Sequence, residues 1–315
     1  MALTRTTRSK LSRTQKEALD CYVFMSPAII GMVVFLLGPI LFSAYISFTN
    51  YSILKSPVWV GLGNYIGLFN DEFFWLSMKI TFIYAAVSVP LGLVVSLLLA
   101  MLLNQNLKGI YLFRVIYYMP AVISGVAVAL LWKWLFNPEF GLLNWFIGLF
   151  GIQGPQWIYS QDWALTSLIL MSLWSVGGSM LIYLAGLQGI PTELYEAAEI
   201  DGAGRFRRFL NVTIPMLSPV IFFNLVMGII GSLQVFTEGY VMTQGGPNNS
   251  TLFAVLYLYR QAFNYYSMGY ASAMAWMLFL VILAFTLLVF KSSPMWVFYE
   301  EAKAKKTSKA RGRTA

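Results

Sequence analysis

The chain has 315 residues, of which 58% are hydrophobic and 11% charged, and its net charge is +8. This charged fraction is less than half of that in an ordinary soluble domain, which indicates an integral membrane protein. The chain contains no His and one Cys, Cys21, which we interpret as a small apolar residue at a membrane edge. Common zinc sites, Ser-His or Cys-His catalytic pairs and an internal disulfide are therefore not expected.

In chain order, a basic tail over residues 1–20 precedes a transmembrane domain over 21–291, and residues 292–315 form a second basic tail. A segment needs roughly 20 apolar residues to cross the hydrocarbon core of a membrane. Pro90 and Pro120 lie inside two such segments and predict kinks. We predict an all-α fold with six transmembrane helices, at 22–48, 80–107, 115–136, 163–188, 216–237 and 268–290.

The connecting segments are assigned to the two membrane faces by their charge. Six spans place both tails on one face, which carries 17 of the 21 Lys and Arg residues. Cytoplasmic loops are enriched in these residues, so we predict that both tails are cytoplasmic and that 50–79 and 137–162 are external, with short helices on the membrane surface. Because orientation explains the positive charge, nucleic-acid binding is not expected.

The segment 191–215 is a compact polar island between two uncharged runs. Pro191 and Thr192 are typical of a helix start, and acidic residues fill the turns that follow. Gly202 and Gly204 then predict a break, followed by a second short helix over 205–210. The residues alone leave two interpretations open, a cytoplasmic docking hairpin or a simple connecting loop.

Several functional motifs are absent. No phosphate-binding glycine loop occurs, so the chain is not expected to bind ATP itself. The spans contain no His and no paired carboxylates, the usual parts of a proton relay. Glu238, at the end of the fifth span, is the one carboxylate near the hydrocarbon. It is either a residue facing a cavity, where it would contact substrate, or an ordinary interface residue.

The polar island resembles the cytoplasmic signature of ABC importer permeases. The segment EAAEIDGAGRFRRFLNVTIP matches that signature at Glu196, Ala197, Ala198 and Gly202, and Pro215 closes the pattern. Val212 and Ile214 are conservative departures from it. In this family the hairpin docks on an ATPase dimer, so the resemblance implies that Glu196 faces the ATPase, that Gly202 forms the turn and that Arg205 belongs to the same coupling segment.

Further stretches resemble the maltose-type carbohydrate-uptake subfamily. They are GLGNYIGLF from residue 61, FNPEFGLLN from 136, LIYLAGLQGIP from 181 and TQGGPNNST from 243. The resemblance implies a six-helix permease subunit in a prokaryotic cytoplasmic (inner) membrane, in contact with lipid and paired with a second, similar permease. It also implies an external solute-binding protein that delivers a sugar, and a partner ATPase that holds ATP and Mg²⁺.

In that family the helices flanking the hairpin line the translocation cavity. Small residues open space, while hydroxyl, amide and aromatic groups can contact a sugar. The alternative for each Gly or Ser is close helix packing. The substrate-site candidates are Trp174, Gly177, Gly178, Ser179, Asn224, Gly228, Gly231, Ser232, Gln234 and Glu238.

The expected function is thus transport by a non-catalytic permease of an ATP-driven carbohydrate importer, with no cofactor or metal of its own. The alternative is a stand-alone secondary transporter or channel for a small polar solute. It is disfavoured by the absence of an evident inverted repeat and of ion-coupling carboxylates. A membrane enzyme would lack a catalytic constellation.

Overall fold

The computed structural model describes residues 12–53 and 55–298, and its architecture is helical. Four helices are long and apolar enough to cross a membrane. Two further spans are bent pairs of helices, so the described residues contain up to six candidate spans, the number predicted from the sequence. The spans, in order, are Arg13–Ser47, Glu72–Leu103, Ile110–Val122 with Gly125–Leu135, Gln161–Ser175 with Gly177–Gln188, Arg205–Leu233, and Met268–Trp296.

The first and second helices begin earlier than predicted. The first helix starts at Arg13, capped by the Ser12 side chain, so the described part of the predicted N-terminal tail is helical. The second starts at Glu72 because the Asp71 carboxylate accepts hydrogen bonds from the amides of Phe73 and Phe74. This helix continues through Pro90 without interruption. The rest of both predicted tails, 1–11 and 299–315, lies outside the described residues.

The predicted kink of the third span at Pro120 is wrong in position. The helix runs through Pro120 to Val122, and the chain breaks where Ile123 is extended. A second helix starts after Ser124, at an angle of 99° to the first. A proline removes one backbone hydrogen bond, whereas an extended residue ends the helix altogether, so the bend follows Ile123.

The predicted second short helix over 205–210 is also wrong as a separate element. Residues from Arg205 are continuous with the fifth span, which extends to Leu233. A widened π-helical stretch, Phe209–Thr213, lies directly before Pro215. Pro215 has no backbone N–H to donate, and its ring crowds the preceding turn. The wider π-turn accommodates both effects, so the helix continues through Pro215.

The segments that connect the spans contain short elements. Residues Thr49–Ser52 and Lys55–Trp59 form a small antiparallel hairpin, which the prediction of surface helices missed. The short helices are Gly63–Phe69, Leu142–Gly148 and Thr192–Ile200, together with Ala254–Tyr259, which continues as a π-helix over Arg260–Asn264.

The helix Ala254–Tyr259 was not predicted, and it packs on the second span. The amide of Ala254 donates a buried hydrogen bond of 2.9 Å to the Thr81 hydroxyl. Because this partner lies 173 residues away in the chain, no local pattern signals it.

The Asp71 carboxylate connects three helices: the second span, the helix Ala254–Tyr259 and the sixth span. Asp71 Oδ2 accepts hydrogen bonds from Tyr257 (2.6 Å), in the Ala254–Tyr259 helix, and from Tyr270 (2.5 Å), at the start of the sixth span. Burial, the largest single influence, raises the pKa of Asp71, but the hydrogen bonds from the two tyrosines and from the Phe74 and Phe73 amides together lower it below its usual value of 3.8. The ionised carboxylate therefore stabilises the folded protein.

We expect Asp71→Asn to lower the melting temperature at pH 7 by about 3 °C, because hydrogen bonds to a charged acceptor are lost. The lowered pKa means that this stabilisation is present above pH 3.8 and is lost as the pH falls through the folded-state pKa. The difference from wild type should therefore shrink in strong acid. Tryptophan fluorescence during heating in detergent measures it. Glu72→Gln is the matched control, and equal melting of all three proteins at pH 7 would contradict the assignment.

Candidate functional site

A cavity of about 390 Å³ lies among the second, fourth and fifth spans and the segment that follows the fifth. Seven of the ten substrate-site candidates from the sequence line it, and their role in binding remains a prediction. These seven are Ser179, Asn224, Gly228, Gly231, Ser232, Gln234 and Glu238. The cavity therefore brings residues from the two helices that flank the cytoplasmic hairpin to one place.

The second span supplies a wall of the cavity that was not predicted from the sequence. Tyr84, Ser88 and Gly92 line it and recur at intervals of four residues. That spacing places them on one face of a helix and is a signal that could have been used. Ser172 and Thr237 are further polar lining residues that were not predicted.

The polar groups of the cavity are anchored to helix backbones. The Asn224 side chain, which is buried, donates through Nδ2 to the Val220 carbonyl at 3.0 Å. Ser232 donates to the Ile229 carbonyl at 3.1 Å. The amide oxygen of Asn224 and the lone pairs of the Ser232 hydroxyl remain suited to accept hydrogen bonds from solute hydroxyls.

Glu238 carries the only formal charge among the residues that line the cavity. The fifth span ends at Leu233, and residues 234–236 form an irregular break before the chain becomes helical again at Thr237. Glu238 therefore lies beyond the end of the span rather than within its helix. All three residues of this break line the cavity.

The other three candidates lie outside the cavity lining. The Trp174 ring packs edge-on against Trp132, with 6.0 Å between ring centroids. A Cβ added at Gly177 would lie 2.4 Å from the Tyr117 carbonyl oxygen, so Gly177 permits close packing of the fourth span on the third. A Cβ added at Gly178 would meet no atom within 4 Å.

The polar hairpin forms a second candidate site. Its helix, Thr192–Ile200, is capped by Asp201 and followed by Gly202, whose φ of +76° is left-handed. The Gly202 amide bonds to the Glu199 carbonyl at 3.0 Å and the Ala203 amide to the Ala198 carbonyl at 2.9 Å. This pair of bonds is the Schellman helix end that glycine favours, so the predicted turn at Gly202 is present.

The hairpin helix has no buried residue, and Glu196 and Ala197 are exposed on it. The two most exposed large apolar side chains of the hairpin are Ile200, at 86%, and Phe206, at 73%. They were not predicted, although apolar residues inside a charged segment are a recognisable sign of a contact surface. Arg205 is exposed beside them, whereas Pro215 lies partly buried in the fifth helix.

Among the described residues, no three His, Cys, Asp or Glu side chains are placed to hold a metal ion. The cavity and the hairpin are linked by the fifth span, which begins at Arg205 in the hairpin and ends at Leu233 beside the cavity.

Residues 88–293 match the family model of the binding-protein-dependent transport system inner membrane component. The chain belongs to this family. It is a non-catalytic, multi-pass permease subunit of a binding-protein-dependent ABC importer in the bacterial inner membrane.

Curated relatives match the permease over nearly its whole length. It is 44% identical over 297 residues to the probable ABC transporter permease protein YesP of Bacillus subtilis, covering 92% of this chain and 96% of that protein. It is 34% identical over 281 residues to the trehalose/maltose transport system permease protein MalF of Thermococcus litoralis, covering 88% and 94%.

A solved structure shares the fold of the permease. A chain of a bacterial alginate ABC transporter, in complex with an alginate pentasaccharide-bound periplasmic protein, superposes with a TM-score of 0.79 at 25% identity. The match covers 90% of the permease and 96% of that chain.

The two adjacent glycines of the fourth span have different surroundings, because Gly177 packs against the third span and Gly178 faces open space. We expect Gly177→Ala to destabilise the permease by about 2 kcal/mol, because a methyl group there meets backbone that cannot move aside. Gly178→Ala should have little effect, since nothing lies within 4 Å. Thermal melting of the two variants in detergent makes the comparison. A Gly177→Ala protein as stable as Gly178→Ala would show that the approach to Tyr117 is not tight.

Proposed function

We propose that the permease translocates a carbohydrate through the cavity among its second, fourth and fifth spans. The observation that carries this proposal is the chemistry of the cavity, which combines amide, hydroxyl and aromatic groups with a single carboxylate. Such groups pair with sugar hydroxyls and stack on sugar faces. Relatives support it by name, among them the lactose transport permease LacF of Rhizobium radiobacter and the arabinooligosaccharides permease AraP of Bacillus subtilis.

We further propose that the hairpin docks on an ATPase dimer, which holds ATP and Mg²⁺. The exposed apolar side chains of Ile200 and Phe206 would enter a groove of the ATPase, with Glu196, Ala197 and Ala198 on the docking helix. Buried apolar anchors surrounded by polar contacts are typical of the residues that contribute most to binding. Gly202 sets the direction in which the chain leaves this helix, and Arg205 and Pro215 belong to the coupling segment that follows it.

The remaining partners follow from the proposed cycle. A second, similar permease completes the translocation path, and an external solute-binding protein delivers the sugar. Closure of the ATPase dimer would move the hairpin and change the side of the membrane to which the cavity opens. Substrate contacts are assigned to Ser179, Asn224, Gly228, Gly231, Ser232, Gln234 and Glu238. Trp174 and Gly177 would act by helix packing instead, and Gly178, with open space around it, is assigned neither role.

The turn at Gly202 tests the docking role. Because its φ is positive and a Cβ added there would meet no atom within 4 Å, a substitution acts through backbone strain rather than through a clash. Gly202→Val should cost about 1–2 kcal/mol and reduce ATP-driven uptake roughly tenfold, with the protein still in the membrane. Gly202→Asn, whose side chain tolerates this conformation, should retain most uptake. Equal uptake by the two variants would contradict the proposed role of the turn.

Gly231 tests the cavity. It lines the cavity, and a Cβ added there would meet no atom within 4 Å, so a large side chain projects into open space. Gly231→Phe should reduce sugar uptake by the assembled transporter at least about tenfold by blocking binding, while Gly231→Ser should transport normally. Uptake is measured with whichever of maltose, trehalose, lactose or arabinooligosaccharides most stimulates the ATPase. Normal uptake by Gly231→Phe would place the translocation path elsewhere.

A further inference from the structure

The hairpin helix Thr192–Ile200 is held to its own chain by few contacts. None of its residues is fully buried, and Tyr195, which is partly buried, is the one residue of this helix that packs against the apolar cluster around Leu217. Apart from the turn at Gly202, two side-chain links connect it to the fifth helix. Glu199 Oε2 and Arg208 Nη1 form an ion pair at 2.7 Å, and the hydroxyls of Tyr195 and Thr213 hydrogen-bond at 3.0 Å.

The two links bracket the π-helical stretch of the fifth helix. Arg208 directly precedes the π-helical segment Phe209–Thr213, and Thr213 is its last residue. A π-helical stretch interrupts regular α-helical hydrogen bonding and is a site where a helix can flex. Each end of this stretch is therefore tied to the hairpin helix by one link.

The hairpin lies between a continuous helix, the fifth span, and a bent pair of helices, the fourth span. The fifth span is one helix from Arg205 to Leu233, about 43 Å long at 1.5 Å per residue. It reaches the cavity-lining residues Gly228 and Gly231. The fourth span is bent by 44° between Gln161–Ser175 and Gly177–Gln188. A continuous helix transmits displacement as a rigid body, whereas a bend can absorb it.

We propose that the Glu199–Arg208 and Tyr195–Thr213 pairs form a clamp that makes the hairpin helix and the fifth span one rigid body. Movement of the hairpin then reaches the cavity along the fifth span. This inference rests on the proposed docking of the hairpin on an ATPase and names the residues that convert docking into transport. All four are positioning residues, because none of them lines the cavity.

The exposure of the Glu199–Arg208 ion pair separates its role from fold stability. The Glu199 side chain is 71% exposed and that of Arg208 23%. Exposed ion pairs contribute little to folding, so removing this one should leave the permease assembled. The ion pair instead fixes the position of the hairpin helix relative to the fifth helix. The effect of that position is measured as the ATP hydrolysed for each sugar imported.

The test uses the complete transporter in proteoliposomes, with the second permease, the ATPase dimer and the solute-binding protein. The probe is whichever of maltose, trehalose or lactose most stimulates ATP hydrolysis. The double variant Tyr195→Phe with Arg208→Gln removes both links. Arg207→Gln is the matched control, because Arg207 is exposed, lies one residue away and forms no ion pair among the described residues. The measured quantity is ATP hydrolysed per sugar imported.

We expect this ratio to rise about fivefold in the double variant, the size of effect typical of residues that modulate coupling between sites. Arg207→Gln should match wild type. In a second pair of proteins, Arg208→Glu should raise the ratio, and the exchange Glu199→Arg with Arg208→Glu should restore most of the coupling. Restored coupling in the exchanged protein would show that the two residues act through their opposite charges. A residue that acts only through its own shape would not be restored by exchanging the charges.

Two results would overturn the clamp. One is a ratio in the double variant equal to that of Arg207→Gln. The other is loss of the ATPase during purification of the double variant, because the pairs would then hold the docking surface rather than transmit movement. Failure of the docking proposal itself is distinct, since the wild-type permease would then purify without any ATPase.

Discussion

The continuity of the fifth helix is the constraint on which the rest of the structure depends. It begins at Arg205 in the polar hairpin, passes Pro215 by way of a π-turn, and ends at Leu233 beside the cavity. Backbone N–H and C=O groups inside a membrane need hydrogen-bond partners within the protein, because no water is available there. A continuous helix meets most of this requirement within itself and at the same time connects the hairpin to the cavity.

The breaks of the third and fourth spans, and the break that follows the fifth, lie in or next to the cavity wall. The fourth span bends at Val176, which lines the cavity, and the break after the fifth span contributes Gln234 and Phe236 to the lining. A Cβ at Gly125, just after the break of the third span, would lie 3.8 Å from Thr237, another lining residue. Irregular backbone at membrane depth is tolerated where it borders a cavity or is covered by protein. These breaks thus border the cavity that we propose takes the solute.

Local sequence was sufficient for features that depend on a residue's own backbone or apolarity. The number of spans followed from uncharged runs, and the turn at Gly202 followed from the conformational freedom of glycine, which its φ of +76° requires. Seven of the ten cavity candidates lie together because polar residues on two adjacent spans face the same space.

Features that depend on a distant partner could not be predicted. The helix Ala254–Tyr259 is anchored through Thr81, and the Asp71 carboxylate binds Tyr257 and Tyr270, which lie 186 and 199 residues away in the chain. The role of Gly177 in packing depends on Tyr117 of the third span. Composition favours a helix in each of these regions but does not say which neighbour fixes its ends or its faces.

The energy source of uptake tests the central claim most directly, that ATP hydrolysis by a partner drives movement of this permease. Proteoliposomes containing the complete transporter are given Mg²⁺-ATP inside and the sugar-loaded binding protein outside, with and without ionophores that dissipate proton and sodium gradients. We predict that uptake requires hydrolysable ATP and is unchanged by the ionophores. Uptake by the permease alone, driven by an ion gradient in the absence of ATP, would contradict the account.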